Sequence, residues 1–197
     1  MVNENKQLKR EYPRAKKGEE SEVVGILDPL IKEWFFTKFK DLSDSQLYGV
    51  MPIHQRRNIL VSASTGSGKT LTSFLAINNY LVGLARRNEL EDKVYCIYSS
   101  PLKALNNDIF VNLENPLSEI YKLAEEKGIV LQKIRVGLRT GDTENKDKVR
   151  MLKHPPHIFV EIIHLRNYEG CESYQFFFQC ILCSRYYTPP YHLCLEL

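Results

Sequence analysis

Short apolar runs alternate along this chain with longer segments in which apolar residues recur every three to four positions. The short runs are apolar nearly throughout, which is typical of parallel strands that are buried on both faces. Four of them are predicted to be strands: Ile59–Ser62, Val94–Tyr98, Ile129–Val136 and Ile158–Val160. Alternation of such strands with helices predicts an α/β domain with an open, mostly parallel sheet and helices on both faces.

Two of the predicted helices begin with capping signals. Asp28 precedes Pro29, so that an N-cap carboxylate is followed by a proline at the first helical position. Ser43 and Gln46 have the spacing of a capping box, in which each side chain satisfies a backbone N–H group near the other. A third helix is expected to follow the first strand and to begin near Gly68.

The middle of the chain predicts two helices that are separated by a proline. A helical stretch starts at Pro101 and is expected to break at Asn115-Pro116. A second helix then runs to a C-terminal cap at Gly128. Beyond the next strand we expect a loop over 137–143 and a short helix over 144–152.

The composition of the chain changes abruptly near Val160. Four of the five cysteines lie in the last 27 residues, and no lysine follows Lys153 in a chain that is otherwise rich in lysine. We therefore divide the chain into a charged N-terminal tail over 1–22, one α/β domain over 23–160, and an aromatic, cysteine-rich tail over 161–197. No helix or strand is predicted for the last of these.

The tail over 161–197 has three main interpretations, beside a thiol redox pair at Cys180-x-x-Cys183. Its composition does not match the preceding chain, which indicates a sequence translated out of frame after Val160 or the end of a truncated gene. A genuine but divergent C-terminus is the second interpretation. The third is a zinc site with four thiolate ligands at irregular spacings, namely Cys171, Cys180, Cys183 and Cys194.

Charge and hydropathy narrow the class of protein only slightly. A formal net charge of +3 is too small to indicate nucleic-acid binding by itself. No apolar run reaches the length that spans a membrane, and the N-terminus lacks the apolar segment of a secretory signal. These features predict a protein of the reducing cytoplasm that does not bind membranes.

The most informative motif is an eight-residue loop between a predicted strand and a predicted helix, Ala63-Ser64-Thr65-Gly66-Ser67-Gly68-Lys69-Thr70. A strand, such a loop and a helix in this order form a phosphate-binding P-loop. The glycines let backbone N–H groups turn toward a phosphate, and the helix adds its positive N-terminal end. In such a loop Lys69 reaches the β- and γ-phosphates, and the Thr70 hydroxyl is a ligand for Mg²⁺.

Three further patches accompany the P-loop. The amide of Gln46 can pair with both N6 and N7 of adenine as well as close its capping box. The segment 99–108 offers hydroxyls, amides, a lysine and a helix N-terminus, which suit the phosphates of a nucleic-acid backbone. The third patch, Arg139-Thr140-Gly141-Asp142-Thr143, follows a strand and carries little information alone, since Thr-Gly-Asp is common in turns.

Together and in this order, the motifs resemble the superfamily 2 helicases of the DEAD/DEAH type, and in particular the Lhr (large helicase-related) group. The resemblance covers approximately residues 24–160. It is carried by Asp28–Phe35, Gln46, Ser64–Thr72, Ser100–Asp108, Arg139–Thr143 and Pro155–Ile158. Ala63 at the first P-loop position is usual in that family.

The resemblance implies a partial RecA-like domain that binds ATP with Mg²⁺. Gln46 would then contact adenine, and the phosphates and metal would be held by Ser64, Thr65, Gly66, Ser67, Gly68, Lys69 and Thr70. Seven residues would line a track for single-stranded nucleic acid: Pro101, Lys103, Asn106, Arg139, Thr140, Gly141 and Asp142. In the intact family, two RecA-like domains close around ATP, and ATP hydrolysis is thereby coupled to separation of the strands of DNA or RNA.

The resemblance stops after Ile158-Phe159-Val160. The family would continue with a Thr-Thr-Pro-Glu-Ser-like motif and later with Asp-Glu-x-His, and neither is present in this sequence. The missing acid pair would hold Mg²⁺ and orient the attacking water. Glu161-Ile162-Ile163-His164 lacks two adjacent acids and stands at the wrong place, so no catalytic residue is predicted.

Three functions remain open from the sequence. The chain is the ATP-binding part of an Lhr-type ATP-dependent helicase, or it is a fragment that binds nucleotide and, weakly, single-stranded nucleic acid without turnover. The further alternative is another P-loop NTPase, a small kinase or a GTPase. That alternative predicts an arginine-rich lid or a guanine-reading Asn-Lys-x-Asp motif, and the sequence contains neither.

Overall fold

The computed structural model describes residues 15–64, 66–100, 103–140, 143–162, 180–183 and 193–196. The helices are α1 (Glu20–Gly25), α2 (Pro29–Lys38), α3 (Asp44–His54), α4 (Lys69–Arg86), α5 (Lys103–Glu126) and α6 (Asn145–Lys153). The strands are β1 (Ile59–Ser62), β2 (Cys96–Ser100), β3 (Val136–Arg139), β4 (Ile158–Ile162), β5 (Cys180–Cys183) and β6 (Leu193–Glu196). In this described part, no helix combines the length and apolar character needed to cross a membrane.

Four strands form the main sheet, in the order β3-β4-β2-β5. β3, β4 and β2 are parallel, and β5 is antiparallel to β2. β1 pairs in parallel with β6 in a separate two-stranded sheet. The prediction of an α/β fold with a mostly parallel sheet is confirmed. β4 extends two residues beyond Val160, and β5 and β6 lie within the segment for which no element is predicted.

The helices pack on one another and on the strands around one apolar core. α2 contacts α4 and α5, α3 contacts α4 and β1, and α5 contacts β2 and β4. The ring centroids of Phe74 on α4 and Tyr98 on β2 are 5.4 Å apart, and both side chains are buried. The core thereby joins α4, which follows the P-loop, to the main sheet.

The two capped helix starts are confirmed. Asp28 Oδ1 accepts a hydrogen bond from the Leu30 N–H at 3.1 Å, with Pro29 at the first helical position. The second carboxylate oxygen of Asp28 lies 3.0 Å from Arg86 Nε, which ties the start of α2 to the end of α4. At α3, the Ser43 N–H donates to Gln46 Oε1 at 2.7 Å.

The predicted break at Asn115-Pro116 is wrong, because α5 continues through the proline to Glu126. A proline inside a helix removes one backbone hydrogen bond and costs about 3 kcal/mol. The cost is offset by a buried apolar stripe on both sides of the proline, formed by Leu113, Leu117, Ile120 and Ala124. The predicted cap is confirmed, since Gly128 has φ +68° just after the helix.

The strand predicted over 129–136 is also wrong except for its last residue. β3 starts at Val136 and runs to Arg139, so that it occupies part of the predicted loop. Several backbone groups before it have partners that do not belong to a strand. Tyr121 Oη accepts from the Ile134 N–H at 2.5 Å and donates to the Gln132 carbonyl at 3.0 Å, and the Gln132 N–H donates to the Ala85 carbonyl at 3.2 Å.

His157 is buried where β2 and β4 begin. Its carbonyl accepts from the Tyr95 and Cys96 N–H groups at 2.9 and 3.1 Å, and its Nδ1 accepts from the Arg135 N–H at 3.1 Å. Burial, with the nearby Arg135 guanidinium as a smaller contribution, lowers the pKa of His157 to about 4. The imidazole is therefore neutral at physiological pH and serves as a hydrogen-bonded junction of the strand starts.

Candidate nucleotide and nucleic-acid site

Three predicted binding segments follow the carboxyl ends of strands. The P-loop follows β1, the segment over 99–108 begins in the last two residues of β2, and Arg139 ends β3. Ser99 and Arg139 are both in register with Glu161 of β4, which lies between them. Since neighbouring strands are about 4.8 Å apart, the backbones of Ser99 and Arg139 are separated by about 10 Å along one sheet edge. Ligands of α/β sheets bind at this edge.

The P-loop has the backbone conformation that its glycines permit. Gly66 and Gly68 have φ values of +84° and +85°, which residues with a Cβ rarely adopt. A Cβ built at Gly68 would also lie only 3.0 Å from Ser43 Oγ. Thr65 lies outside the described residues. Gly68 is therefore required both for its own φ and for the close approach of α3.

Lys69 is the first residue of α4, and its ammonium is held by the P-loop itself. Lys69 Nζ donates to the Ala63 carbonyl at 2.5 Å and to the Ser64 carbonyl at 2.6 Å. Thr70, the predicted Mg²⁺ ligand, is the next residue of the helix. The first N–H groups of α4 point out of its N-terminus, where an anion is favoured. A cation and a positive helix end thus meet at the loop.

α3 packs directly against the P-loop and positions Gln46 beside it. The Gln46 side chain is buried, with 3% of the residue exposed, and its Nε2 would be 3.6 Å from a Cβ at Gly68. Ser45 Oγ donates to Ser67 Oγ at 3.4 Å. Gln46 Oε1 is already used by the capping box, but a carbonyl oxygen has two lone pairs and can accept a second hydrogen bond.

Two contacts that bring α3 close to α4 and to the P-loop were not predicted. Gly49 faces α4, where an added Cβ would lie 2.5 Å from Thr72 Cγ2. Thr72 Oγ1 donates to the Gly68 carbonyl at 3.0 Å, so that the same threonine touches both α3 and the P-loop. The available signal was a glycine inside a helical pattern, one turn after Gln46, which often marks a close packing contact.

The structure describes the predicted nucleic-acid track only in part. Arg139 is exposed at the end of β3, and the Thr140 N–H donates to Thr143 Oγ1 at 2.7 Å. Lys103 and Asn106 lie in the first turns of α5, and their side chains are outside the described part. Pro101, Gly141 and Asp142 lie outside the described residues.

The zinc interpretation finds no support at the described positions. Among the residues whose side chains the structure describes, no group of three or more His, Cys, Asp or Glu side chains is placed to hold a metal. The side chains of Cys171, Cys180, Cys183 and Cys194 lie outside that part. The four-thiolate site therefore stays a prediction.

Comparison with known proteins identifies the family. The family described as DEAD/DEAH box helicase matches residues 43–166. The chain is similar to ATP-dependent helicase Lhr-Core of Methanocaldococcus jannaschii, with 49% identity over 78% of this chain, and to that of Methanothermobacter thermautotrophicus, with 55% identity over 71%. It spans only 18% and 16% of the lengths of these two relatives.

Solved structures agree with this similarity. The helicase Lhr of Mycobacterium smegmatis, bound to ssDNA and AMP-PNP, matches with a TM-score of 0.63 at 36% identity, over 71% of this chain and 17% of that one. A DEAD-box helicase bound to ssRNA and UDP-BeF matches with a TM-score of 0.60 at 18% identity, over 77% of this chain and 29% of that one. The second match supports a partial RecA-like fold alone. The family match covers well over half of the residues, and the chain belongs to the DEAD/DEAH box helicases.

Proposed function

We propose that residues 23–160 are the ATP-binding part of an Lhr-type helicase and bind an adenine nucleotide together with Mg²⁺. The observation that carries this proposal is the packing of α3 on the P-loop, which puts Gln46 beside Gly68. An adenine-reading amide and a phosphate-binding loop are thereby held in one unit.

The donors at the site fit the phosphates of ATP and its metal. The backbone N–H groups of Gly66–Thr70 and the Lys69 ammonium are donors for the phosphate oxygens, and the Thr70 hydroxyl is a hard oxygen ligand that suits Mg²⁺. Gly68 leaves the space that a Cβ would fill. Bound ATP and Mg²⁺ supply the phosphoanhydride and the charge neutralisation that hydrolysis needs. Lys69 must leave the Ala63 and Ser64 carbonyls to reach a phosphate.

We also propose that the strand ends of β2 and β3 bind single-stranded DNA or RNA. The contacts would come from Pro101, Lys103, Asn106, Arg139, Thr140, Gly141 and Asp142. Support comes from the exposed Arg139 at the sheet edge and from the start of α5 at the same edge. The Mycobacterium smegmatis relative is described as bound to ssDNA, which agrees with this assignment.

For this chain by itself, we propose nucleotide binding without turnover. The matched relatives are more than four times as long, and the sequence has no Asp-Glu-x-His motif. Strand separation driven by ATP hydrolysis is therefore proposed for a complete protein of this type. Binding needs the P-loop and α3, whereas hydrolysis also needs an acid pair and a second domain.

Nucleotide titration of the full chain tests the proposal. ATP with Mg²⁺ is expected to bind more tightly than GTP with Mg²⁺, because only adenine presents a donor and an acceptor to Gln46 in the required order. Lys69→Ala is expected to remove most of the affinity, since it deletes the cation at the phosphates. Lys122→Ala, a change of the same charge on the exposed side of α5, is the control.

Equal affinity for ATP and GTP would contradict the role of Gln46. Unchanged binding by Lys69→Ala would contradict the P-loop assignment. Circular dichroism of each variant separates a lost contact from a lost fold.

A further inference from the structure

The helix α6 turns its aliphatic side chains toward solvent. Val149 and Leu152 are 50% and 83% exposed, and the helix has no buried residue. A surface helix normally directs such residues at the core. Here the inward side is formed by half-buried residues: Asp147, Lys148 and Met151.

Three cations share the outer face with these aliphatic residues. Lys146, Arg150 and Lys153 occupy positions i, i+4 and i+7, so they form one stripe about 10 Å long on the helix surface. The side chains of Lys146 and Arg150 are 76% and 74% exposed. The outer face of α6 is therefore a cationic stripe beside an aliphatic pair.

The cations of the stripe are available to an external anion. Lys146 pairs with Glu144 at 2.7 Å and Arg150 with Asp147 at 3.3 Å, and exposed ion pairs of this kind contribute little free energy. Lys153 has no ion pair within the described part of the chain. A phosphate can thus displace the carboxylates of Glu144 and Asp147 from Lys146 and Arg150. At Lys153 it has no carboxylate of the described part to displace.

α6 lies along the edge strand of the main sheet, next to the loop that follows Arg139. A Cβ built at Gly137 of β3 would lie 3.5 Å from Met151 Sδ, so the inner side of α6 packs on that strand. The Thr143 N–H donates to the Thr140 carbonyl at 3.2 Å and turns the chain from β3 into the helix. The stripe therefore begins close to the end of β3 and continues away from it.

We propose that the outer face of α6 binds single-stranded nucleic acid as an extension of the track that starts at Arg139. Lys146, Arg150 and Lys153 contact successive phosphates, and Val149 and Leu152 pack against sugars and bases. A regular stripe of like charges complements a polymer of regularly spaced anions better than it complements the mixed surface of a protein. The inference rests on the proposed nucleic-acid binding and adds a second contact region to it.

The test compares two lysines of the same helix in the full chain. Binding of fluorescent oligo-dT and oligo-rU is measured by anisotropy from 50 to 300 mM salt. Lys153→Ala is expected to make the log–log salt slope shallower by about 0.7 and to weaken binding about eightfold at 50 mM, because one phosphate contact is lost. Lys148→Ala removes the same charge from the inward side and is expected to keep both the slope and most of the affinity.

Leu152→Ser tests the aliphatic contact with sugars and bases separately from the ionic contacts with phosphates. Because the residue is exposed, the fold is expected to persist, and the affinity should fall at every salt concentration with an unchanged slope. If the unmodified chain binds and Lys153→Ala behaves like Lys148→Ala, the α6 inference is wrong while the track at Arg139 stands. If the unmodified chain binds neither oligonucleotide, the proposed nucleic-acid binding itself is overturned.

Discussion

Gly49 is the residue that lets α3 approach α4, and with it Gln46 approach the P-loop. A Cβ at Gly49 would lie 2.5 Å from Thr72 Cγ2, which is well inside van der Waals contact. We expect Gly49→Ala to lower the free energy of unfolding by about 1–3 kcal/mol, as overpacking does in other tight contacts. Urea unfolding measures the loss, and ATP titration should show weaker binding because Thr72 also holds the Gly68 carbonyl.

Gly25 is the control for this substitution. It also lies in a helix, but nothing lies within 4 Å of a Cβ built there. Gly25→Ala should leave stability unchanged or raise it by up to about 1 kcal/mol, since alanine has the higher helix propensity. Equal effects of the two substitutions would show that the α3–α4 contact is not as close as described.

The buried His157 predicts a dependence of stability on pH. Its pKa is lowered to about 4 in the folded protein, so the unfolded chain binds the proton more readily. The neutral imidazole therefore contributes to the free energy of unfolding. This contribution is fully present above the ordinary pKa of about 6.5 and is lost as the pH falls from there toward 4. Between pH 7 and pH 5 the free energy of unfolding should decrease by about 2 kcal/mol from this residue.

Urea unfolding at pH 7 and pH 5 checks this prediction. His157→Gln should be less stable at pH 7 because it disturbs the strand junction, but its stability should change less between the two pH values. His154→Gln alters an exposed histidine three residues earlier and should keep the original pH dependence. A pH dependence that survives in His157→Gln would assign the effect to other groups.

At the scale of elements, α5 is a continuous helix that contains a proline. Pro116→Ala should restore the hydrogen bond to the Asn112 carbonyl and stabilise the chain by about 1 kcal/mol or more, because the buried stripe already fixes the helix on both sides. Thermal unfolding measures the change. Pro29→Ala is the matched control and should be nearly neutral, since the first helical position has no such bond to restore. Destabilisation by Pro116→Ala would indicate that α5 requires the proline.

Elements with local signals were predictable from the sequence. Asp28 with Pro29, and Ser43 with Gln46, define helix starts through contacts within three residues. The prediction of a helix break at Pro116 was wrong because packing against side chains from distant parts of the chain stabilises α5 by more than the proline costs. The strand predicted over 129–136 was wrong before Val136 for a similar reason, since the Tyr121 hydroxyl and the Ala85 carbonyl bind the backbone of Gln132 and Ile134.

In the candidate site, too, features with local sequence signals were predictable and features set by distant packing were not. The P-loop could be predicted because its glycines and Lys69 are consecutive and each has a local role. The proximity of Gln46 to Gly68 depends on α3 lying against α4, and no short-range pattern specifies that contact. Gly49 left only the signal of a glycine inside a helical pattern, and Thr72 left none, since the importance of both lies in a distance between two helices.

For the 197-residue chain as a whole, we expect ATP binding without appreciable ATP hydrolysis or duplex unwinding. These residues contain no Asp-Glu-x-His acid pair and span 18% and 16% of two relatives, whereas hydrolysis also needs an arginine from a second domain, which alone changes the rate by about 10³–10⁵. Phosphate release from ATP, with and without single-stranded DNA or RNA, measures this directly. Nucleic-acid-stimulated turnover that Lys69→Ala abolishes would contradict the prediction and would make Glu161 the first acid to replace.

The two carbonyl contacts of Lys69 also have a consequence for the kinetics of nucleotide capture. The ammonium is held by Ala63 and Ser64, so these bonds must open before it can meet a phosphate. Opening is a unimolecular step, and its rate does not depend on how much nucleotide is present. Exposed side chains change rotamer in picoseconds to nanoseconds, so release of Lys69 stays faster than encounter, and the observed association rate should keep rising with nucleotide concentration. The two carbonyl contacts thereby reduce the affinity of the complex without slowing its formation.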